Sequence, residues 1–314
     1  MKSKLMPGCW GEAKLRGETS MPIAEVEALR LLTRIFTRSV FLSLVDSRIL
    51  PAAVRALCRH GVVVAADERP LWTFFDDAWQ ALRRAYRTEY VYKTEIANRI
   101  VFGRHRPTTA ALHVELPVGR SIVDAAVFNG ASTAYEIKTQ FDSPRRLLSQ
   151  TGDYLKVFDK VFVVTHPSQA MAYQEVVASS VGLLTLSEKG QLSVIRDAVS
   201  NRANIVPSSV FRCLRRAEYV SAIQGFTNER VADYPSGLIE ARCEEIFSTF
   251  TPSESHDIFV NAARSRTTNS QTVSFVSRLP QSLRVLGYST PLSERQRSKI
   301  IDTLSLPSKL KVSI

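Results

Sequence analysis

Three charged side chains stand within short apolar segments in the middle of the chain. Asp124 is the one charged residue of SIVDAAVF, and Glu136 and Lys138 lie two residues apart in STAYEIKT. Charges in apolar strands are costly unless they are paired or bind a metal. Neighbouring carboxylates repel one another, and a hard divalent cation relieves that repulsion. With a lysine beside them to position water or neutralise a phosphate, the three residues predict metal-dependent phosphodiester hydrolysis.

A plainer interpretation fits the same spacing. The strand would present a solvated face, with Lys138 forming an ion pair with Glu136 or Asp124. Short patterns of this kind often arise by chance, so spacing alone does not choose between the two interpretations.

The turn between the two segments decides whether the carboxylates meet. A two-residue turn would put Asp124 and Glu136 on opposite faces of the hairpin, because side chains alternate along a strand. A loop of three residues, 129–131, sets Asp124 directly across from Glu136. We therefore predict a three-residue loop, or an equivalent bulge, with Gly130 in the left-handed region.

Short β-rich segments and amphipathic helices alternate around this hairpin. From residue 103 to residue 200 the order is three strands, a helix, a strand, a helix and further short strands, which predicts an α/β fold with a mixed central sheet flanked by helices. The regions before and after it have helical spacing of apolar residues. We divide the chain into an irregular or disordered start (1–21), a helical N-terminal region (22–85), the core (86–200), a helical C-terminal region (201–266) and a loosely packed basic extension (267–314).

The composition restricts the partners and the compartment. The chain has 41 Lys and Arg against 30 Asp and Glu, a formal charge of +11, which favours a polyanionic partner such as nucleic acid. The core is nearly balanced, so the excess lies mainly in the helical flanks. The four cysteines are dispersed, without metal-ligand spacing, and predict buried thiols in a reducing cytoplasm. No apolar run is long enough for a membrane span, and we identify no secretory signal.

Three motifs of the core resemble a known nuclease superfamily. The segments GRSIVD, YEIK and LLSQTGDYLKVFD are similar to the PD-(D/E)XK nucleases, in the RecB-like version in which a Q-x-x-x-Y helix follows the motif. Here that pair is Gln150 and Tyr154, one helical turn apart. The resemblance covers about residues 86–200 and extends to a poorly characterised bacterial group in which an EYVYK segment precedes the core. Val123 stands where the superfamily's name has proline.

The resemblance implies a restriction-endonuclease-like core and a set of site residues. Asp124, Glu136 and the main-chain carbonyl of Ile137 would bind Mg²⁺ or Mn²⁺, and Lys138 would be the catalytic lysine. Gln150 and Tyr154 would face the active site.

The superfamily often has one more glutamate, on the first core helix. Glu95, in the helical segment YKTEIANRI, and Glu115, in the strand segment HVELPVG, are the two candidates. We favour Glu115 as the accessory acidic metal ligand, because it lies in a mostly apolar run and matches the related proteins better. The choice stays open at this stage.

Three arginines near the motif are candidates for nucleic-acid contacts. Arg120 precedes the Asp124 segment, and Arg145 and Arg146 open the helix that bears Gln150. Paired arginines at an exposed helix start are often plain surface, so we expect phosphate contact or simple solvation.

The sequence thus predicts a cytoplasmic, metal-dependent endo- or exonuclease that acts on nucleic acid, DNA more than RNA. The alternative is a catalytically silent protein that keeps the fold and binds nucleic acid or a protein partner. The helical flanks are where a homodimer or another protein partner would form.

Overall fold

The structure is a computed structural model of the chain that describes residues 23–46, 52–227 and 229–313. The expected irregular start, 1–21, lies outside the described residues. The N-terminal elements are α1 (Ile23–Thr33), α2 (Arg38–Ser43), α3 (Ala52–Arg59), β1 (Val63–Pro70), α4 (Leu71–Ala85) and α5 (Glu89–Ile96), which continues as a π-helix (Ala97–Arg104).

The middle of the chain builds the main sheet and its crossovers. Its elements are β2 (Ala111–Val118), β3 (Ser121–Phe128), β4 (Ser132–Lys138), α6 (Leu147–Tyr154), β5 (Lys160–Thr165), α7 (Ala170–Val176), β6 (Gly182–Leu186) and β7 (Leu192–Arg196). The C-terminal elements are α8 (Pro207–Phe211), α9 (Arg216–Phe226), α10 (Ile239–Phe247), α11 (Pro252–Thr267), α12 (Ser270–Arg278), α13 (Arg284–Ser289), α14 (Glu294–Ser305) and β8 (Pro307–Val312).

Six strands pair in chain order, β2-β3-β4-β5-β6-β7. The pairs among β2, β3 and β4 are antiparallel, those among β4, β5 and β6 are parallel, and β7 is antiparallel to β6. The crossovers that parallel pairing requires contain α6 and α7. The predicted α/β fold with a mixed sheet flanked by helices is therefore confirmed.

The hairpin of β3 and β4 has the predicted register. Ala125 pairs with Tyr135, and this pairing continues to a three-residue connection in which Gly130 has a φ of +101°. Glycine adopts positive φ without a steric penalty. The predicted three-residue loop is confirmed, and it brings Asp124 in line with Glu136.

Each face of the sheet carries its own hydrophobic core. Tyr135 and Ile137 pack on one face with helices of the N-terminal region and with α12, α13 and α14. Phe128 and Val163 pack on the other face with α6, α7 and helices α8 to α11. Glu136 contacts Tyr154 of α6, so its side chain lies on the face opposite its two neighbours, as strand alternation predicts.

The C-terminal segment corrects the expected loosely packed extension. In its described part, residues 267–313, Phe275, Val276 and Leu283 are buried in the core that also contains the N-terminal helices. Strand β8 closes this unit by pairing antiparallel with β1. The polar run TTNSQT, residues 267–272, stands where we expected the extension to begin, and it contains the cap of α12, since Asn269 accepts a hydrogen bond from the main-chain nitrogen of Thr272.

The cysteines match the expectation of buried thiols only in part. Cys243 is buried, Cys213 is partly buried and Cys58 is exposed, and all three are free thiols. Cys9 lies outside the described residues. In the ranges that the structure describes, no helix has the length and apolar character needed to span a bilayer.

Candidate active site

A cleft of about 820 Å³ opens at the end of the sheet where β2, β3, α5 and α6 meet. Its acidic and amide lining comes from Glu89 of α5, Glu115 of β2, Asp124 of β3, and Gln150 and Asp153 of α6. Four separate elements thus deliver polar side chains to one concave surface, which is typical of a ligand or active site.

Glu136 and Lys138 lie next to this lining, and Lys138 is hydrogen-bonded to it through Gln150. Lys138 Nζ lies 2.6 Å from Glu136 Oε1 and 3.0 Å from Gln150 Oε1. Glu136 is only 1% exposed, and Lys138 shields one side of its charge. The lysine therefore joins the motif strand to the helix that follows it.

Tyr154 supports the other oxygen of the Glu136 carboxylate. Its hydroxyl lies 2.6 Å from Glu136 Oε2 and 2.7 Å from the main-chain oxygen of Ile122. Burial raises the pKa of Tyr154, and the nearby Glu136 charge raises it further. The hydroxyl consequently keeps its proton and acts as a hydrogen-bond donor that orients the carboxylate.

The Asp124 carboxylate is partly buried and has two other carboxylates, those of Glu136 and Glu89, near it. Its Oδ2 accepts a hydrogen bond of 2.7 Å from the Ile137 main-chain nitrogen. Burial raises the pKa of Asp124 to about 7, with further increases from Glu136 and Glu89, whereas the Ile137 hydrogen bond and Lys93 oppose the shift. A positive charge placed beside Asp124 would favour its ionised form.

A chain of ion pairs forms the wall of the cleft on the α5 side. Lys93 Nζ is paired with Glu89, one turn earlier in α5, and lies 3.3 Å from Glu115 Oε1. Arg38 of α2 lies 2.8 Å from Glu115 Oε2. Glu115 also has a φ of +54°, which is unusual for a residue other than glycine. The wall therefore ties the N-terminal helices to the edge of the sheet.

The two candidates for the accessory acidic residue lie in different places. Glu95 is 2% exposed and is held by Arg83 and by Arg99, at 3.3 Å and 2.6 Å, outside the cleft lining. Glu115 does line the cleft, although both of its oxygens contact cations. The structure thus brings Glu115 and not Glu95 into the site.

The rim of the cleft is basic. Arg120 and Arg146 line it, as does Lys156, which the sequence had not indicated. Arg145 is exposed on the same 3₁₀ turn as Arg146 but is not part of the lining. Two of the three predicted arginines therefore line the cleft.

The turn that presents Arg120 depends on a glycine and an aspartate. Gly119 has a φ of +60°, and a Cβ added there would lie 3.3 Å from Cγ of Asp153. Asp153 accepts a hydrogen bond of 2.9 Å from Ser121 Oγ. Helix α6 therefore fixes the β2–β3 turn at the cleft.

The sequence profile of one protein family, described as bacteriophage P4 protein cII, matches residues 83–285. This segment is 203 of the 314 residues. The chain belongs to the bacteriophage P4 cII family. No curated protein and no solved structure matches the chain.

The part matched by the cII family contains the whole cleft lining. It begins before α5, includes the six-stranded sheet and ends in α13, so α14 and β8 lie beyond it. The cleft is therefore a feature of the family segment of this chain.

The potential metal ligands in this cII family chain are few. Within residues 23–46, 52–227 and 229–313, no group of three or more His, Cys, Asp or Glu side chains is placed to hold a metal ion. The site offers Asp124 and Glu136 as paired carboxylates. For Ile137 the structure shows the main-chain nitrogen contacting Asp124, and the role of its carbonyl stays a prediction.

Glu89 is, after Lys156, a second cleft residue that sequence reasoning missed in this cII family chain. It lies in the first turn of α5, lines the cleft and adds negative charge beside Asp124. A signal was present in EYVYK, where Glu89 precedes Lys93 by four residues, a spacing that pairs the two side chains on one helical face.

Proposed function

We propose that the chain is a metal-dependent nuclease with a restriction-endonuclease-like, PD-(D/E)XK core that hydrolyses phosphodiester bonds in nucleic acid, DNA more than RNA, in the cytoplasm. The observation that carries the proposal is that Asp124 and Gln150 line one cleft, while Glu136 and Lys138 lie beside it and Lys138 bonds to both Glu136 and Gln150. These residues come from three elements, and their meeting depends on the register of the β3–β4 hairpin.

The residues present fit a hard divalent cation. Asp124 and Glu136 supply oxygen donors, which Mg²⁺ and Mn²⁺ prefer. Burial and, after it, the negative charges of Glu136 and Glu89 raise the pKa of Asp124, and a divalent cation beside it would favour its ionised form. When bound, the ion would supply a Lewis acid that makes water more acidic and neutralises charge on the phosphate.

Lys138 has a definite part in this proposal. An ammonium group has three N–H donors, and two of them are directed to Glu136 and Gln150. The third can hold the attacking water or a phosphate oxygen. By pairing with Glu136, Lys138 also balances the charge of that buried carboxylate.

The basic rim suits an extended polyanion. Arg120, Arg146 and Lys156 lie around the cleft carboxylates of Glu89, Glu115 and Asp124, which we call the acidic floor. Phosphates on either side of the scissile bond would therefore meet positive charge. The combination of acidic floor and basic rim favours a nucleic-acid strand over a small neutral substrate.

A second candidate function is a catalytically silent nucleic-acid-binding or interaction protein that retains the fold. One observation favours it: in the described residues both Glu136 oxygens are occupied, by Lys138 and by Tyr154, and no cluster of three ligand side chains occurs. In that protein the cleft would bind nucleic acid without cutting it.

One assay separates the two functions. Purified full-length chain is incubated with linear, circular and single-stranded DNA and with RNA, with Mg²⁺, Mn²⁺ or EDTA. Asp124→Ala and Lys138→Ala are compared with Asp302→Ala and Lys189→Ala, which remove the same charges at exposed positions outside the cleft. We expect metal-dependent cleavage that the first pair abolishes and the second pair retains. Binding without cleavage under either metal would favour the silent protein.

A further inference from the structure

The positive charge of the C-terminal third is concentrated in its last segment. Residues 267–313 contain seven Lys and Arg and two acidic residues, whereas residues 201–266 contain eight of each. The net charge of the helical region around α9 to α11 is therefore zero, and the excess belongs to the unit formed by α12, α13, α14 and β8.

The two segments also differ in how their cations are paired. Between residues 201 and 266, five cations make ion pairs within the described structure: Arg202, Arg212, Arg230, Arg242 and Arg266. In the described range 267–313, no Lys or Arg makes an ion pair. Unpaired, exposed cations leave a positive potential that an external anion can satisfy.

A groove of about 340 Å³ lies between α12 and α14 at the centre of this surface. On the α12 side it is lined by Gln271, Ser274 and Arg278, and on the α14 side by Arg297. Glu294 also lines it and is the acidic member of the set. Guanidinium, amide and hydroxyl groups are the side chains that most often contact phosphates.

Packing holds one of the groove arginines in place. The Arg297 guanidinium lies over the Phe275 ring, 5.6 Å from its centroid, and Nη2 lies 3.3 Å from Thr272 Oγ1. Arg297 is thus positioned by neutral partners that leave its charge uncompensated.

The exposed side of α14 extends the positive surface. Arg295 and Lys299 are exposed and lie four residues apart, so they share one helical face. Together with Arg278 they supply three cations that no carboxylate of the described chain neutralises.

We propose that the surface formed by α12 and α14 binds the phosphate backbone of nucleic acid, separately from the cleft. Charge complementarity and the phosphate-binding side chains of the groove carry the assignment. Helix α14 follows the segment matched by the cII family, which ends at residue 285, whereas α12 lies within that segment. The surface would give this chain an additional contact along the nucleic acid, whether or not the cleft cleaves.

The test measures binding without cleavage. Fluorescently labelled duplex and single-stranded DNA are titrated with full-length chain in EDTA, at several salt concentrations, and anisotropy gives Kd. The test variant is Arg278→Ala/Arg295→Ala/Lys299→Ala. The control, Arg212→Ala/Arg230→Ala/Arg242→Ala, removes three exposed cations that are ion-paired in the other segment.

We expect the test variant to bind at least about 10-fold more weakly and to lose about 0.9 units of salt slope for each phosphate contact removed. The control should bind within about twofold of the wild type. Equal weakening in both variants would overturn the proposal, because the effect would then follow net charge and not this surface. Unchanged binding by the test variant would also overturn it and would favour an acidic protein as the partner. Cleavage is measured separately with Mg²⁺, so a chain that binds through this surface without cutting would refute the nuclease proposal alone.

Discussion

The Tyr154 hydroxyl lies 2.6 Å from Glu136 Oε2, which connects the motif strand to the helix that follows it. Tyr154→Phe removes the donor and leaves a buried carboxylate oxygen unsatisfied, so we expect a loss of about 1–3 kcal/mol in unfolding free energy. Cleavage should fall by about 10- to 100-fold, because the carboxylate loses its orienting partner.

Tyr173→Phe is the matched control for that substitution. Tyr173 is also buried, and its hydroxyl contacts a main-chain oxygen, that of Asp142, at 3.2 Å, outside the cleft. Urea unfolding and cleavage rates are measured for both variants. If Tyr154→Phe cleaves as fast as Tyr173→Phe, Tyr154 does not orient the site.

The ion pair of Lys138 and Glu136 predicts a strong thermodynamic coupling. Lys138→Met leaves the Glu136 charge buried without its partner, which should destabilise the protein by about 3–5 kcal/mol. Adding Glu136→Gln should restore much of that loss, since the orphaned charge is then absent. A double-mutant cycle by urea unfolding measures the coupling, and additive effects of the two substitutions would contradict the pairing.

The raised pKa of Asp124 predicts a pH dependence of stability in metal-free buffer. The folded protein retains a proton up to about pH 7, whereas the unfolded chain releases it near the ordinary value of 3.8. Stability should therefore decline as pH rises between these two values, because ionisation is harder in the folded state. Asp124→Asn should lack this decline. Thermal unfolding of both proteins is measured across that pH range with EDTA. If the stability of the two proteins changes with pH in the same way, Asp124 does not cause the decline.

Two glycines near the cleft predict opposite effects on stability. Gly119→Ala introduces a Cβ at a positive φ, against the Asp153 side chain, and should cost about 1–2 kcal/mol. Gly152→Ala, in α6 with open space around the added Cβ, should stabilise the helix by about 0.5–1 kcal/mol. Denaturant unfolding compares the two variants. A stabilised Gly119→Ala would mean that the turn does not need this conformation.

The local features of the site were predictable because they follow from strand alternation. Because side chains alternate along a strand, Asp124 could face Glu136 across a three-residue loop but not across a two-residue turn. The structure has the three-residue loop. The spacing of Gln150 and Tyr154 likewise put both on one side of α6. In the structure Gln150 bonds to Lys138 and Tyr154 bonds to Glu136, both on β4. These inferences needed only the periods of a strand and of a helix.

Features that depend on contacts between distant segments were not predictable. Glu89 reaches Asp124 only because α5 packs across the sheet, and no local pattern states where a helix will dock. The pairing of β1 with β8 joins residues 63–70 to residues 307–312, so the C-terminal segment is part of a core and not a loose extension. The cap formed by Asn269 shows how a polar run that suggests a break can instead start a helix.

The cII family match covers the cleft but says nothing of chemistry, so the nuclease proposal depends on the residues themselves. The single-turnover cleavage rate of one labelled DNA, in Mg²⁺, by wild type and by Asp124→Asn of verified fold, tests it most directly. The proposal predicts metal-dependent cleavage by the wild type and a loss of at least about 100-fold in the variant. Equal rates for the two proteins, or cleavage that persists in EDTA, would contradict it.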